Sequence, residues 1–186
     1  MLIGKVTYLD SGAYISPDEM YRYWLSRRLG MSERTVAFIG LNPSKADARL
    51  DDPTVRRCVG FAQMWGFDWL YMGNLNAWRS TDPTQLPTDH LTAVGPENQE
   101  ALKWLMQRAE LVVAAWGQNR LNDYAQTLAD LVLQCPRTRT LGTTANGSPK
   151  HPLYLPKSTE LQLVGATEGE TATRRSRGAR QRRRGR

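Results

Sequence analysis

Cysteine is nearly absent from these 186 residues: Cys58 and Cys135 are the only two, far apart and in no CxxC pair. That leaves no disulfide framework and no thiolate set for a metal, and both thiols read as reduced residues in or near a core. Histidine is as scarce, so imidazole chemistry has two candidates, His90 and His151. Long apolar runs are missing too. No stretch approaches the ~18 apolar residues of a membrane span. Met1-Leu2-Ile3-Gly4-Lys5 lacks the apolar h-region of a secretory signal. The expectation is a protein with no membrane partner in a reducing cytoplasm.

What is present fits one globular domain. Hydrophobic residues at 40% and charged residues at 23% are ordinary, and the length suffices to bury a core without cross-links. The net charge of +7 is unevenly placed. Residues 174–186 hold eight arginines, with Glu168 and Glu170 just before them. Residues 1–165 keep 17 basic and 16 acidic side chains, a net of +1. A segment of Arg, Gly, Ser, Ala and Gln cannot bury enough apolar surface to offset its ordering entropy. The sequence therefore predicts an α/β domain over 1–165 and a disordered arginine-rich tail over 166–186. Each phosphate such a tail neutralises releases counterions, so binding weakens with salt. DNA or another nucleic acid is the expected partner; other polyanions, or a solubility role, are the alternatives.

Along the chain, Gly4 to Leu9 reads as a first strand with a turn at Asp10-Ser11-Gly12. Ser16-Pro17-Asp18-Glu19 has the form of a helix-capping box. Tyr21, Tyr23, Leu25 and Leu29, however, alternate with polar or aromatic neighbours at a period of two, favouring a strand in a hairpin with the next strand along the chain. Val36-Ala37-Phe38-Ile39 is an unbroken apolar run, as in a strand buried on both faces. Asp52-Pro53-Thr54 opens a helix with Val55, Val59, Ala62 and Trp65 on its apolar side, closed by Gly66. Trp69 to Gly73 is a second buried strand, and 78–96 a long loop. Then come a helix from Glu97 to Ala109, a strand from Leu111 to Trp116, a helix from Arg120 to Gln134 and a strand near Arg139-Thr140-Leu141. The loop from Thr143 to Lys150 leads to His151-Pro152, and Glu160 to Val164 closes as a strand. Such alternation implies a three-layer α/β/α fold with a mainly parallel central sheet and an N-terminal hairpin.

In such sheets ligands bind beyond the carboxyl ends of the strands. Three of those ends read Gly40-Leu41-Asn42-Pro43-Ser44, Gly73-Asn74-Leu75-Asn76 and Trp116-Gly117-Gln118-Asn119, and a fourth loop brings His151. Asn42-Pro43 is a turn former, yet an Asn amide can also orient a water or a carbonyl. His151 is either a satisfied structural residue or a donor to a ligand oxygen. His90 reads as surface. Of Asp47, Asp51 and Asp52, one caps the helix, leaving the others to bind water, metal or a base edge. Arg56 and Arg57 lie at that helix's positive end, free for phosphate or paired with those aspartates.

Phe38-Ile39-Gly40-Leu41-Asn42-Pro43-Ser44, Asp51-Asp52-Pro53-Thr54-Val55-Arg56-Arg57-Cys58, Trp65-Gly66, Asn74-Leu75, Gly95-Pro96-Glu97-Asn98, Ala115-Trp116-Gly117 and His151-Pro152-Leu153-Tyr154-Leu155 together resemble the family called domain of unknown function 1643, over roughly residues 10–160. More distantly, the order of segments resembles the uracil-DNA glycosylase superfamily. Gly40-Leu41-Asn42-Pro43 stands for its water-activating loop, as in the mismatch-specific branch. The run from Tyr71 to Thr84, with its Arg79…Asp82-Pro83-Thr84, resembles the second strand and loop of the iron–sulfur branch, and His151-Pro152-Leu153-Tyr154 the late His-Pro segment. The four cluster cysteines of the iron–sulfur branch are missing, so no cluster is expected, and neither is its first-loop carboxylate present.

The resemblance implies a uracil-DNA-glycosylase-like fold, with no cofactor and no metal. A flipped nucleotide would enter a pocket between strand ends. Asn42 would position the attacking water and His151 stabilise charge on the departing base, as the catalytic pair. Asn74, with Gly40, Leu41, Pro43 and Trp116, would hold the base. Ser44, Arg56, Arg57, Arg79, Lys150, Arg182 and Arg183 would contact phosphates, and Asp47, Asp51 and Asp52 are secondary polar candidates. The expected function is cleavage or modification of a nucleobase in DNA. The alternatives are a noncatalytic nucleobase- or nucleic-acid-binding module, a base-modifying transferase on the same scaffold, or a nucleotide-directed enzyme unrelated to DNA.

Overall fold

Seven strands form one sheet in the computed structural model, which describes residues 8–44, 46–47, 49–80 and 86–165. They are β1 (Asp10–Ile15), β2 (Arg22–Arg28), β3 (Thr35–Gly40), β4 (Trp69–Asn74), β5 (Leu111–Ala114), β6 (Thr138–Thr140) and β7 (Gln162–Leu163). The order across the sheet is β1-β2-β4-β3-β5-β6-β7. The central strands β4, β3, β5 and β6 are parallel, while β2 pairs antiparallel with β4, β1 with β2, and β7 with β6.

The apolar run of β3 is buried on both faces, as expected for a strand covered by helices on each side. Val36 and Phe38 join Val113, Leu70 and Met72 under helix α1 (Pro53–Met64), which contributes Val55, Cys58, Val59 and Ala62. Ala37 and Ile39 face the other way with Val112 and Ala114. There they meet Leu102 and Leu105 of α3 (Asn98–Arg108) and Ala125, Leu128 and Val132 of α4 (Asp123–Gln134). The result is three layers with the sheet in the middle. Asp52 caps α1 by accepting the Val55 N–H at 2.7 Å, and Gly66, at φ 73°, follows the helix end.

The N-terminal reading needs correction. Asp10-Ser11-Gly12 is strand, not turn, because these residues pair with Arg28, Arg27 and Ser26. Of the expected first strand, residues 4–7 fall outside the described residues. β2 is a strand, but its hairpin partner is the preceding β1, and its other neighbour is β4 rather than β3, the next strand in the chain. The capping-box residues form a turn instead: Ser16 Oγ donates to Asp18 and accepts the Tyr21 N–H at 3.0 Å. The long loop 78–96 holds a short helix, α2 (His90–Val94), capped by Asp89. The expected tail, 166–186, lies outside the described residues.

Candidate functional site at the carboxyl rim of the sheet

β3, β4 and β5 end side by side, and the backbone continues their pairing past the strands. Leu75 N donates to Gly40 O at 2.9 Å, Asn76 N to Leu41 O at 2.8 Å, and Ala115 N to Ile39 O at 2.9 Å. This holds the polar segments after each strand on one rim. A cavity of about 610 Å³ opens there, and Asn42, Asn74 and His151 all line it. Gly40, Leu41, Ser44, Trp116 and Lys150 line it as well. Pro43 does not; its carbonyl instead accepts the Ser80 N–H at 3.0 Å and ties the two loops together.

Two glycines make the assembly possible. A Cβ on Gly40 would lie 2.7 Å from Asn74 Oδ1, so the Asn74 carboxamide can rest there only against a residue without a side chain. Gly117 takes φ 79°, donates its N–H to Pro149 O at 2.9 Å, and would bring a Cβ within 3.3 Å of His151 Cβ. That turn lays the His151 segment across the end of β5.

The three side chains differ in what they leave available. Asn42 Nδ2 donates to Ser80 O at 2.6 Å, which fixes the amide and leaves Oδ1 as an acceptor. Asn74 is 4% exposed, and among the described residues its Nδ2 has no hydrogen-bond partner. His151 precedes a single 3-10 turn, Pro152–Tyr154, and its Nδ1 accepts the Leu153 N–H at 3.3 Å. That bond puts the ring proton on Nε2, making it a donor. Burial holds the His151 pKa below the ordinary 6.5, against the pull of the Asp52 carboxylate. At neutral pH His151 is therefore an uncharged donor.

The three aspartates are engaged by groups of the protein itself. Asp51 pairs with buried Arg27 at 2.8 Å and accepts the Tyr8 hydroxyl. Asp47 accepts the Arg49 and Leu50 N–H groups, at 2.7 and 2.9 Å. Asp52 lines the cavity, but it caps α1 and accepts the Ser44 hydroxyl. A phosphate at the start of α1 would meet that carboxylate, which counts against the expected phosphate site beside Ser44 and Arg57. The expected phosphate-binding arginines of the body are bonded to backbone carbonyls. Arg56 donates to Asp51 O at 2.6 Å, Arg57 to Pro152 O at 3.4 Å, and Arg79 to Glu19 O at 3.1 Å. None of the three lines the cavity. His90 is exposed on α2, as expected. Arg182 and Arg183 lie outside the described residues.

Sequence reading missed Arg22, the first residue of β2, which lines the cavity at 2% exposure. One guanidinium nitrogen, Nη1, donates to Ala46 O, while Nε has no partner among the described residues. Burial lowers its pKa to about 10, so it remains charged at neutral pH. The mouth of the cavity is marked by Tyr154, 83% exposed, whose ring lies 5.8 Å from that of His151. Among the described residues no group of three or more His, Cys, Asp or Glu could hold a metal ion, and no helix is long and apolar enough to cross a membrane.

The model of one family, described as protein of unknown function (DUF1643), matches residues 22–153, a span that takes in β2, all three strand-end loops and the His151 segment. No curated protein and no solved structure matches the chain.

Proposed function

The chain belongs to the DUF1643 family, whose description names no activity, and from the site we propose that it acts on a nucleobase of DNA, in the manner of a uracil-DNA glycosylase. One observation carries the reading: Asn42, Asn74 and His151, from three distant stretches of sequence, line a single cavity at the carboxyl rim of the sheet. Its ~610 Å³ exceeds what one base needs and leaves room for the attached sugar.

In this reading an extruded nucleotide enters base first. The unpartnered Asn74 Nδ2 donates to an acceptor on the base edge, and His151 Nε2 donates to a base oxygen. As the bond from base to sugar C1′ breaks, its electron pair leaves with the base, where a fixed donor stabilises the growing negative charge. Asn42 Oδ1 accepts from a water aimed at C1′. That water supplies the new sugar hydroxyl, and its other proton ends on the base. Exposed Tyr154 stands where a displaced neighbour could stack.

The test is release of free base from uracil-containing, mismatched and modified DNA. The wild-type protein is expected to release base from some of these substrates. Asn42→Ala and His151→Ala are each expected to lower the rate by ~10²–10³, the usual cost of losing one such group. No release from a broad panel would refute the catalytic reading. A binding module without turnover has one observation in its favour: the cavity's one carboxylate among the described residues, Asp52, is spent on capping α1. That alternative expects DNA or nucleobase binding with no base released.

A further inference from the structure

Arg22 is nearly inaccessible, yet among the described residues it has no carboxylate within ion-pairing distance. Its neighbour Arg27, equally buried, shows the contrast. Arg27 has Asp51 at 2.8 Å and further bonds to Asp47 O and Ser26 O. An ionised group taken out of water without a counter-charge is costly, so buried charges are normally paired or ligated. The charges that face Arg22 are of both signs. Asp52 and Asp47 favour the cation from a distance, while Arg27 and Arg79 oppose it. Asp52 is already engaged by the Val55 N–H and the Ser44 hydroxyl, and Asp47 by two backbone N–H groups.

A second orphaned donor lines the same cavity. Asn74 Nδ2, like Arg22 Nε, is buried without a partner among the described residues. Both belong to the buried inner wall, with Phe38, Cys58 and Met72, whereas Gln118, Asn119 and Tyr154 form the exposed mouth. Sheet topology puts them together. β2 runs antiparallel to β4, so the start of β2 lies beside the end of β4, and Arg22 N donates to Ala77 O at 2.9 Å just past Asn74. A neutral base edge would satisfy the amide but leave the guanidinium charge uncompensated.

We propose that this inner wall is an oxyanion subsite, so that the preferred ligand carries a carboxylate or phosphate that reaches Arg22, with Asn74 Nδ2 as the second donor. Guanidinium groups hold such planar or tetrahedral oxyanions through several charge-assisted hydrogen bonds. The inference rests on the cavity being a ligand pocket, as in the reading above, and adds the charge of what it binds. Two sources share the chemistry: an acidic substituent on a pyrimidine base, and the phosphate of a free mononucleotide.

Calorimetry with the full chain tests it, using uracil, orotate, thymidine, thymidine 5′-monophosphate and inorganic phosphate. The expected result is at least ~10-fold tighter binding of orotate than of uracil, or of the monophosphate than of thymidine. A preference in the first pair assigns the oxyanion to the base, and one in the second assigns it to the nucleotide. Arg22→Gln should remove that preference while the affinity for the neutral partner stays within ~3-fold. Equal affinity for acidic and neutral partners in the wild-type protein, or no binding of any acidic probe, overturns the proposal even if Arg22→Gln fails to fold. Because base release from DNA is measured separately, the anion subsite and the glycosylase-like chemistry can each fail alone.

Discussion

Arg27→Met removes a cation that fastens the far end of the loop carrying Asn42 and Ser44 to the sheet. In the native protein Arg27 is wholly buried, bonded to Asp51 through Nε at 2.9 Å and Nη2 at 2.8 Å, to Asp47 O at 2.6 Å and to Ser26 O at 2.8 Å. Removing one partner of a buried pair strands the other, at a cost of about 3–5 kcal/mol. Asp51 keeps the Tyr8 hydroxyl and its side chain is 14% exposed, so the lower end applies, about 3 kcal/mol. With a urea slope of about 2 kcal/mol/M for a small domain, the midpoint should fall by about 1.5 M. Urea unfolding followed by circular dichroism measures this. The double variant Arg27→Met/Asp51→Asn removes the stranded charge and should recover part of the loss, giving a coupling energy of at least ~1 kcal/mol. A midpoint for Arg27→Met within ~0.3 M of wild type, or a double variant whose loss equals the sum of the singles, refutes the idea that this pair anchors the loop.

Three further perturbations probe the rim and the tail. Gly40→Ala places a methyl group 2.7 Å from Asn74 Oδ1; overpacking of this kind costs about 1–3 kcal/mol, and thermal unfolding of the variant should show it, whereas an unchanged Tm would mean the carboxamide moves aside freely. NMR titration of His151, assigned with His151→Asn, should give a midpoint below 6.5, the direction that burial imposes. Since the folded value is the lowered one, the stability tied to neutral His151 is complete above 6.5 and is lost as the pH falls through the folded midpoint; a midpoint at or above 6.5 contradicts the buried-donor geometry. Deleting residues 166–186 removes eight arginines and should flatten the dependence of log affinity for duplex DNA on log salt, by ~0.9 for each phosphate the tail had neutralised. An unchanged slope would separate the tail from DNA binding.

The parts of the fold that were legible in sequence are those set by local signals. The unbroken apolar run before Gly40, the Asp52-Pro53 start of α1 and the alternation of strands with helices each depend on neighbours in the chain, and each is present. The convergence of Asn42, Asn74 and His151 was also legible, because in a parallel sheet the strand ends share a rim whatever the strand order. The misreadings share a different cause. Whether Asp10-Ser11-Gly12 turns or pairs depends on where its partner strand begins, and β2's choice of β1 and β4 over β3 is a matter of tertiary packing. The three aspartates looked alike in sequence, and only Arg27, far from them in the chain, decides which one is held as an ion pair.

Arg22 obeys the same non-local logic and shows what it hides. In sequence it is one polar position in an aromatic strand, indistinguishable from Arg28, which is part-exposed and bonded to Glu33. Reversing the direction of β2 would carry Arg22 to the opposite edge of the sheet, away from Asn74. The antiparallel pairing with β4 is therefore what converts an ordinary arginine into a charged group in the wall of the cavity. A strand added antiparallel at the flank of a parallel sheet delivers its first residues to the rim where the parallel strands deliver their last. For this topology, the residues that open a flanking antiparallel strand are site candidates on the same footing as the loops that close the central ones.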